Sequence, residues 1–423
     1  MSRLRASAGA VPTIRRIDAA SVAAAWGAPE LLRSFTDRPA SGDGVEAELW
    51  YGAHPHHPST VHAGDRRVAA DELTEVERPG FLVKLLAVGA PLSIQVHPDD
   101  ATAQRGFAEE EAAGVALTSA ERRYVDASGK PEVLRAVTPM RVLCGLRPAH
   151  ASRALLSRLI PEGGDVLLDA LAHGDAGLGR AVAMLLRADT VTVATLLAAV
   201  EDGAREVVAR AAQATPDEPA VDRAVDPALE RIAGLALELQ RRYPHDAGAL
   251  VALLLEDLDL APGEALWVAP GTPHAYLSGV GVEVMASSDN VLRAGLTVKH
   301  VDREEFLAVL DATAVGVCRV GTLPRTADGA GWRRRILPRA AFLIDEVDLD
   351  GELAVERGGS GASVLLCLSG RVAVRGGDGS AVDLAPGGAA LLVPGLDTVV
   401  VEGRGSLLHA ARVSQVSPAP TSA

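Results

Sequence analysis

The stretch PLSIQVHPDD, residues 91–100, sets Gln95 and His97 two residues apart, alternating with Ile94 and Val96. Successive side chains of a β-strand point to opposite faces, so Gln95 and His97 share one face while Ile94 and Val96 bury on the other. An amide beside an imidazole on one face suits a hydrogen-bond network or a divalent metal ion. Downstream, SGKPEVLRA (128–136) holds a second pair. Pro131 keeps Lys130 out of helical geometry, so Lys130 and Glu132 project to the same side of an extended segment. Of 41 basic residues only three are lysine: Lys84, Lys130 and Lys299. In a chain that so favours arginine, a retained lysine marks a place for a compact ammonium, or for an amine that can lose its proton.

These residues need a scaffold, and 423 residues are too many for one simple core, so two or three domains are expected. A hydrophobic fraction of 48% and a charged fraction of 23% are those of a soluble globular protein. The net charge of -14 argues against nucleic acid or an acidic membrane as a partner, and leaves room for a small anion in a local basic pocket. The first residues, MSRLRASAGAVPTIRRIDAA, lack an apolar core, and no stretch reaches bilayer length, so the chain is expected to be cytoplasmic. Cys144, Cys318 and Cys367 are scattered without a close pair, which fits a reducing compartment and small buried hydrophobes rather than a thiolate zinc site.

Between about 150 and 256, SRALLSRLI, GRAVAMLLRA, VTVATLLAAVEDGAREVVARAAQ and ALERIAGLALELQRRY space apolar residues three to four apart, predicting amphipathic helices. TPDEPAVDRAVDP (215–227) reads as a polar loop between two of them. Either side the texture is β. A repeat is visible: PGEALWVAPGTPHAY starts at Pro262 and PGGAALLVPGLDTVV at Pro386, each with turn, apolar strand, tight turn and strand. That spacing suits a corner of a β jelly roll, so two jelly rolls are expected. The predicted architecture is mainly β with an α insertion: 1–150 and 258–325 form the first jelly roll, 151–257 the helical insertion, and 326–415 a second jelly roll. Residues 416–423 are expected to be a disordered tail. His274 in the first copy falls opposite Thr398 in the second, so the C-terminal barrel is expected to lack metal ligands.

GAPLSIQVH, with a glycine ahead of a Gln-x-His pair, resembles the first motif of cupins, and PGEALWVAPGTPH resembles their second. Gln95, His97, Glu132 and His274 would then make an oxygen and nitrogen set for a divalent ion, expected to be zinc, acting as a Lewis acid. Five ordered segments narrow the resemblance: QVHP, KPE, GTPHAY, ELWYGAHPHHPS (48–59) and EVMASSDNVLRAGLTVKHVD (283–302) are similar to type I phosphomannose isomerases, with RGFAEEEAAGVALTSAERRYVD (105–126) in the same order. The resemblance implies a pair of jelly rolls with a helical insertion, one zinc per chain on those four residues, and a monomer. It further implies interconversion of mannose 6-phosphate and fructose 6-phosphate through a cis-enediol. Arg293 becomes the essential cation near the reacting hydroxyls or the phosphate, Lys130 and Glu283 the proton-transfer candidates, and Lys84, Ser93 and Lys299 the phosphate-holding positions.

One departure stands out. Members of the family usually carry histidine directly before KPE, where this chain has Gly129. The run AHPHHPSTVH (53–62) is read as exposed loop histidines rather than a substitute. Two other classes compete: a metal-dependent cupin oxygenase, which the glutamine and the lysines oppose, and a non-catalytic sugar-phosphate-binding cupin, which Gly129 favours.

Overall fold

Both Pro-Gly repeats fold alike in the computed structural model. Strand Ala265–Val268 leads into the long strand His274–Ala286, and Ala389–Leu392 leads into Thr398–Arg412. The glycines that open the two repeats, Gly263 and Gly387, have φ of 92° and 77°, a region that strains any residue with a Cβ. The structure describes residues 13–36, 45–160, 164–213 and 226–413, apart from 317, 326–330, 339, 358, 360 and 396. The expected disordered tail and most of the 215–227 loop lie outside the described residues.

Among the described residues two ten-stranded antiparallel sheets form. The first runs through strands Leu255–Leu260, Met140–Leu146, His274–Ala286, Phe81–Val88, Glu46–Tyr51 and Ala20–Ala23. Glu132–Ala136, Ala265–Val268, Ile94–Val96 and Leu292–Gly295 join it off that path. The second contains the strands from residue 322 onward, but not those alone. Ile14–Asp18 pairs with Ala389–Leu392, and Thr60–Ala63 and Arg66–Ala69 follow it in the same sheet. The expectation that residues 1–150 belong with the first jelly roll is therefore corrected at these strands. The physical reason is the edge: an unpaired strand 389–392 would present open N–H and C=O groups, and the N-terminal strand covers them.

Helices Ala149–Leu159, Leu178–Arg187, Thr190–Ala211 and Pro227–Arg242 coincide with the periodic stretches. Asp189 and Asp226 cap the last two by accepting N–H groups of their first turns. The short helices Asp165–Leu171 and Gly248–Ala252 lie between and after them. Among the described residues no single helix is long and apolar enough to cross a membrane.

The helices pack on the sheet that bears the Gln-x-His pair. Ile94, Val96, Leu292, Ala294 and Leu296 belong to one buried cluster with Leu185, Leu197, Leu235 and Leu250 of the helices. A second cluster joins the barrels, Val83, Leu85, Val282 and Val284 meeting Ile344, Val364, Leu366 and Leu408. Strand 81–88 is accordingly buried on both faces along its whole length.

A charged clamp ties helices to sheet. Asp257 receives two hydrogen bonds from Arg141 at 3.0 and 2.6 Å and one at 2.6 Å from Arg231 of the 227–242 helix, with its side chain 3% exposed. Burial by itself would raise the Asp257 pKa, but the two guanidiniums outweigh it and hold it below the usual carboxylate range. A depressed carboxyl contributes stability above its unfolded pKa of about 3.9 and loses it as pH falls through the folded value. Asp257→Asn is expected to lower stability by about 2–4 kcal/mol at neutral pH, since it removes one partner of a buried charged set. Urea midpoints should show the gap to the parent protein closing below about pH 4, and a gap independent of pH would discard the charge as its cause.

Candidate active site

Strand pairing assembles the donors. His274, Gln95 and Arg293 lie in one row across three strands, His274 opposite Gln95 and Gln95 opposite Arg293. Trp50, Lys84, Glu283 and Leu134 form another, while Glu132 stands opposite Met285 and Val268. Because Ile94 and Val96 bury among the helices, Gln95 must face the barrel interior, which answers why a glutamine alternates with them.

One atom of each of His97, Glu132 and His274 lies within 4.8 Å of the others, and no other such group of three or more occurs among the described residues. His97 Nε2 is 3.4 Å from Glu132 Oε1, and His274 Nε2 is 3.5 Å from Glu132 Oε2. Donors about 2.1 Å from a tetrahedral zinc stand about 3.4 Å apart, so the spacing fits the ion. Each imidazole is also turned for it. His97 Nδ1–H donates to the carbonyl of Asn290 at 2.8 Å and His274 Nδ1–H to that of Thr272 at 3.0 Å, which leaves both Nε2 lone pairs facing Glu132. Gln95 brings its amide within 3.2 Å of His274 Nε2, and a half-turn of that amide presents its oxygen at the same point. The carboxylate is the clearest sign. Both Glu132 oxygens are buried without an aligned hydrogen bond, although Lys130 Nζ makes a 2.7 Å ion pair with Oε1.

Electrostatics follow from burial. Desolvation, helped by the Lys130 charge, lowers the pKa of His97, and desolvation with His97 brings His274 down to about 4, so both rings are neutral at physiological pH. Burial opposes the charge on Glu132, but Lys130, His97 and His274 outweigh it and keep the carboxyl well below its ordinary value. Burial also works against Lys130, yet the carboxylates of Glu132 and Glu283 leave its pKa raised. Glu283 moves the other way: burial and the Glu132 charge push it up to about 7.

A cavity of about 630 Å³ opens onto this set. Gln95, Glu132, Lys130, Glu283, Lys84, Ser93, Arg293 and Lys299 all line it, with His97 and His274 buried behind. Arg293 and Lys299 make no ion pair with a carboxylate among the described residues. Their pKa values are lowered by burial, and Lys299 further by the Arg293 charge. Lys84 is boxed in: its Nζ sits 4.1 Å from the Trp50 ring centroid, 3.7 Å from Glu48 and 3.9 Å from Glu283.

Several features escaped the sequence reading. Tyr276 donates to Glu283 Oε1 at 2.9 Å inside the same cavity, and its signal was the tyrosine two residues after His274, on the same strand face. His54 is 2% exposed and 3.0 Å from Asp289, so the view of 53–62 as exposed loop histidines is corrected there. His56 and His57 are exposed as expected. Cys144 and Cys318, far apart in sequence, come together, and the interaction between the two thiols pulls Cys318 down to about 7 while it raises Cys144. Gly129 has a packing cause: a Cβ there would lie 2.6 Å from Asp100 N and 2.8 Å from Asp99 C, at the start of helix Asp100–Ala112. No histidine enters that space unless the helix shifts.

Comparison with known proteins agrees with this geometry. The model of the phosphomannose isomerase type I catalytic domain matches residues 14–149. The chain is 33% identical over 400 residues to mannose-6-phosphate isomerase of Escherichia coli (strain K12), spanning 90% of this chain and 95% of that protein. Against mannose-6-phosphate isomerase 1 of Arabidopsis thaliana the figures are 31% over 346 residues, 77% and 75%. A zinc-bound crystal structure of mannose 6-phosphate isomerase superposes with a TM-score of 0.78 at 28% identity, over 95% of this chain and 100% of that one. An alanine variant of phosphomannose isomerase from Salmonella typhimurium gives 0.79 at 28% over the same shares. With this fold, this donor set and relatives matched over three quarters or more of their length, the chain belongs to the type I phosphomannose isomerase family.

Proposed function

We propose that this protein is a zinc-dependent aldose-ketose isomerase that interconverts mannose 6-phosphate and fructose 6-phosphate through a cis-enediol. The observation that carries the reading is that His97, Glu132 and His274 come together, with the Gln95 amide beside His274, at a cavity that Lys84, Arg293 and Lys299 also line. Those four residues would hold the zinc ion, which would supply Lewis-acid polarisation of the sugar carbonyl without redox change. The chain's own groups do the rest. Lys84, Ser93 and Lys299 receive the phosphate, and Arg293 balances charge near the reacting hydroxyls. Glu283, held at about 7, accepts and returns the proton that moves between C1 and C2. Tyr276, hydrogen-bonded to one Glu283 oxygen, leaves the other oxygen for that transfer. Lys130, ion-paired with Glu132, remains the cation that faces the developing enediolate.

On this reading the partner is a small hexose 6-phosphate, and the protein works as a cytoplasmic monomer. A net charge of -14 disfavours polyanionic partners. The C-terminal barrel, 326–415, is assigned a structural role, covering the first barrel through their shared core. Gly129 is the one feature that favours binding without turnover, and incubation of fructose 6-phosphate in deuterated water separates the two, because a binding protein incorporates no deuterium.

A coupled assay on mannose 6-phosphate should show turnover that a chelator abolishes and added zinc restores. Glu132→Ala and His274→Ala should lose bound metal and activity together, and activity surviving in both variants would discard the ligand set. Lys84→Arg keeps the charge but needs room beside Trp50 that the packing does not leave, so KM should rise on the order of tenfold. An unchanged KM would show that a compact ammonium is not required at this position.

A further inference from the structure

Apart from Lys84 on strand 81–88, the polar groups assigned to the phosphate and the reacting hydroxyls are not carried by long regular elements. Ser93 lies in the loop between strands 81–88 and 94–96, and Arg293 and Lys299 flank a turn at Gly295 and Leu296. Leu296 has φ of 58°, an uncommon region for a leucine, yet its side chain is 1% exposed within the helical core. Something must hold that turn.

The support comes from the helical insertion. Asp246, between helices 227–242 and 248–252, accepts the Leu296 N–H on Oδ2 at 2.7 Å and the Gly248 N–H on Oδ1 at 2.7 Å. The approach is close enough that a Cβ on Gly295 would stand 2.3 Å from Asp246 Oδ1 and 2.8 Å from Gly248 Cα. Three residues earlier, the Tyr243 hydroxyl donates to the Pro91 carbonyl at 2.9 Å, which grips the loop bearing Ser93. Arg242 and Tyr243 themselves line the cavity.

We infer that the 243–246 turn of the helical insertion positions the phosphate end of the substrate site: Asp246 and Tyr243 are positioning residues that fix the two loops presenting Ser93, Arg293 and Lys299. The inference rests on reading that cavity as a hexose 6-phosphate site. It gives the insertion a part in substrate binding that the metal donors do not share. A charge-assisted bond donated by a backbone N–H to a carboxylate is strong, and pre-ordering a loop lowers the entropic cost of binding on it.

The test is steady-state kinetics on the zinc-loaded full chain, with inorganic phosphate as a competitive inhibitor. Asp246→Ala should raise KM for mannose 6-phosphate and the inhibition constant of inorganic phosphate together, on the order of tenfold, with kcat within about threefold and zinc per chain unchanged. Asp246→Asn, which keeps one acceptor, should fall between, and Tyr243→Phe should move both constants the same way by less. If the alanine variant does not fold, the asparagine and phenylalanine variants decide. Unchanged KM and phosphate inhibition, or a loss confined to kcat together with zinc loss, overturns the inference. Should the parent protein fail to isomerise at all, the functional reading falls by itself. Titrating inorganic phosphate into the parent and Asp246→Asn proteins then still tests the anchor, equal affinities counting against it.

Discussion

Glu132 is a carboxylate at 1% exposure, and much of the architecture around it answers that fact. Taking an ionised carboxylate out of water costs several kcal/mol unless cations and hydrogen bonds replace the solvent. Lys130 supplies one neighbour at 2.7 Å. The two imidazoles, made neutral by burial and turned by the carbonyls of Asn290 and Thr272, supply lone pairs rather than positive charge. Lys130 offsets the charge of Glu132, and what the set leaves without a partner is its lone pairs, on both carboxylate oxygens and both imidazole Nε2 atoms, which a divalent cation among them would engage.

The barrel is built to hold those atoms still. Each donor sits on or beside a strand whose opposite face is packed: Ile94 and Val96 against helices, Val133 against the core between the barrels. A slip of one residue in the 94–96 strand would turn Gln95 into the helical core and Ile94 toward the metal, so hydrophobic burial enforces the register that ligation needs. The second barrel closes the back of the first through the shared cluster of valines and leucines, and the N-terminal strand seals its edge.

The cavity is a cationic patch on a chain of net charge -14. Among the described residues Arg293 and Lys299 lie partly desolvated and without an ion pair to a carboxylate, a state whose cost a bound phosphate would offset. Lys84 differs, being held between two carboxylates and an indole face, which explains why the shortest cation at this point is a lysine.

Local pattern was enough for much of this. Period-two alternation in PLSIQVHP, three-to-four spacing in the four longer helices, and the repeated Pro-Gly punctuation are properties of neighbouring residues, and the elements they predict form. The residue types able to bind metal were legible for the same reason, since few side chains offer such donors. Long-range pairing was not. That Ile14–Asp18 would join residues 389–392, that His54 would be buried beside Asp289, that helix 100–112 would crowd Gly129, and that Asp246 would reach the Leu296 turn all depend on segments meeting in space. The spacing of donors around Glu132, and the burial that makes two histidines neutral and one glutamate basic, arise only once the sheets have packed and removed water, because a pKa is a property of an environment and not of a residue type.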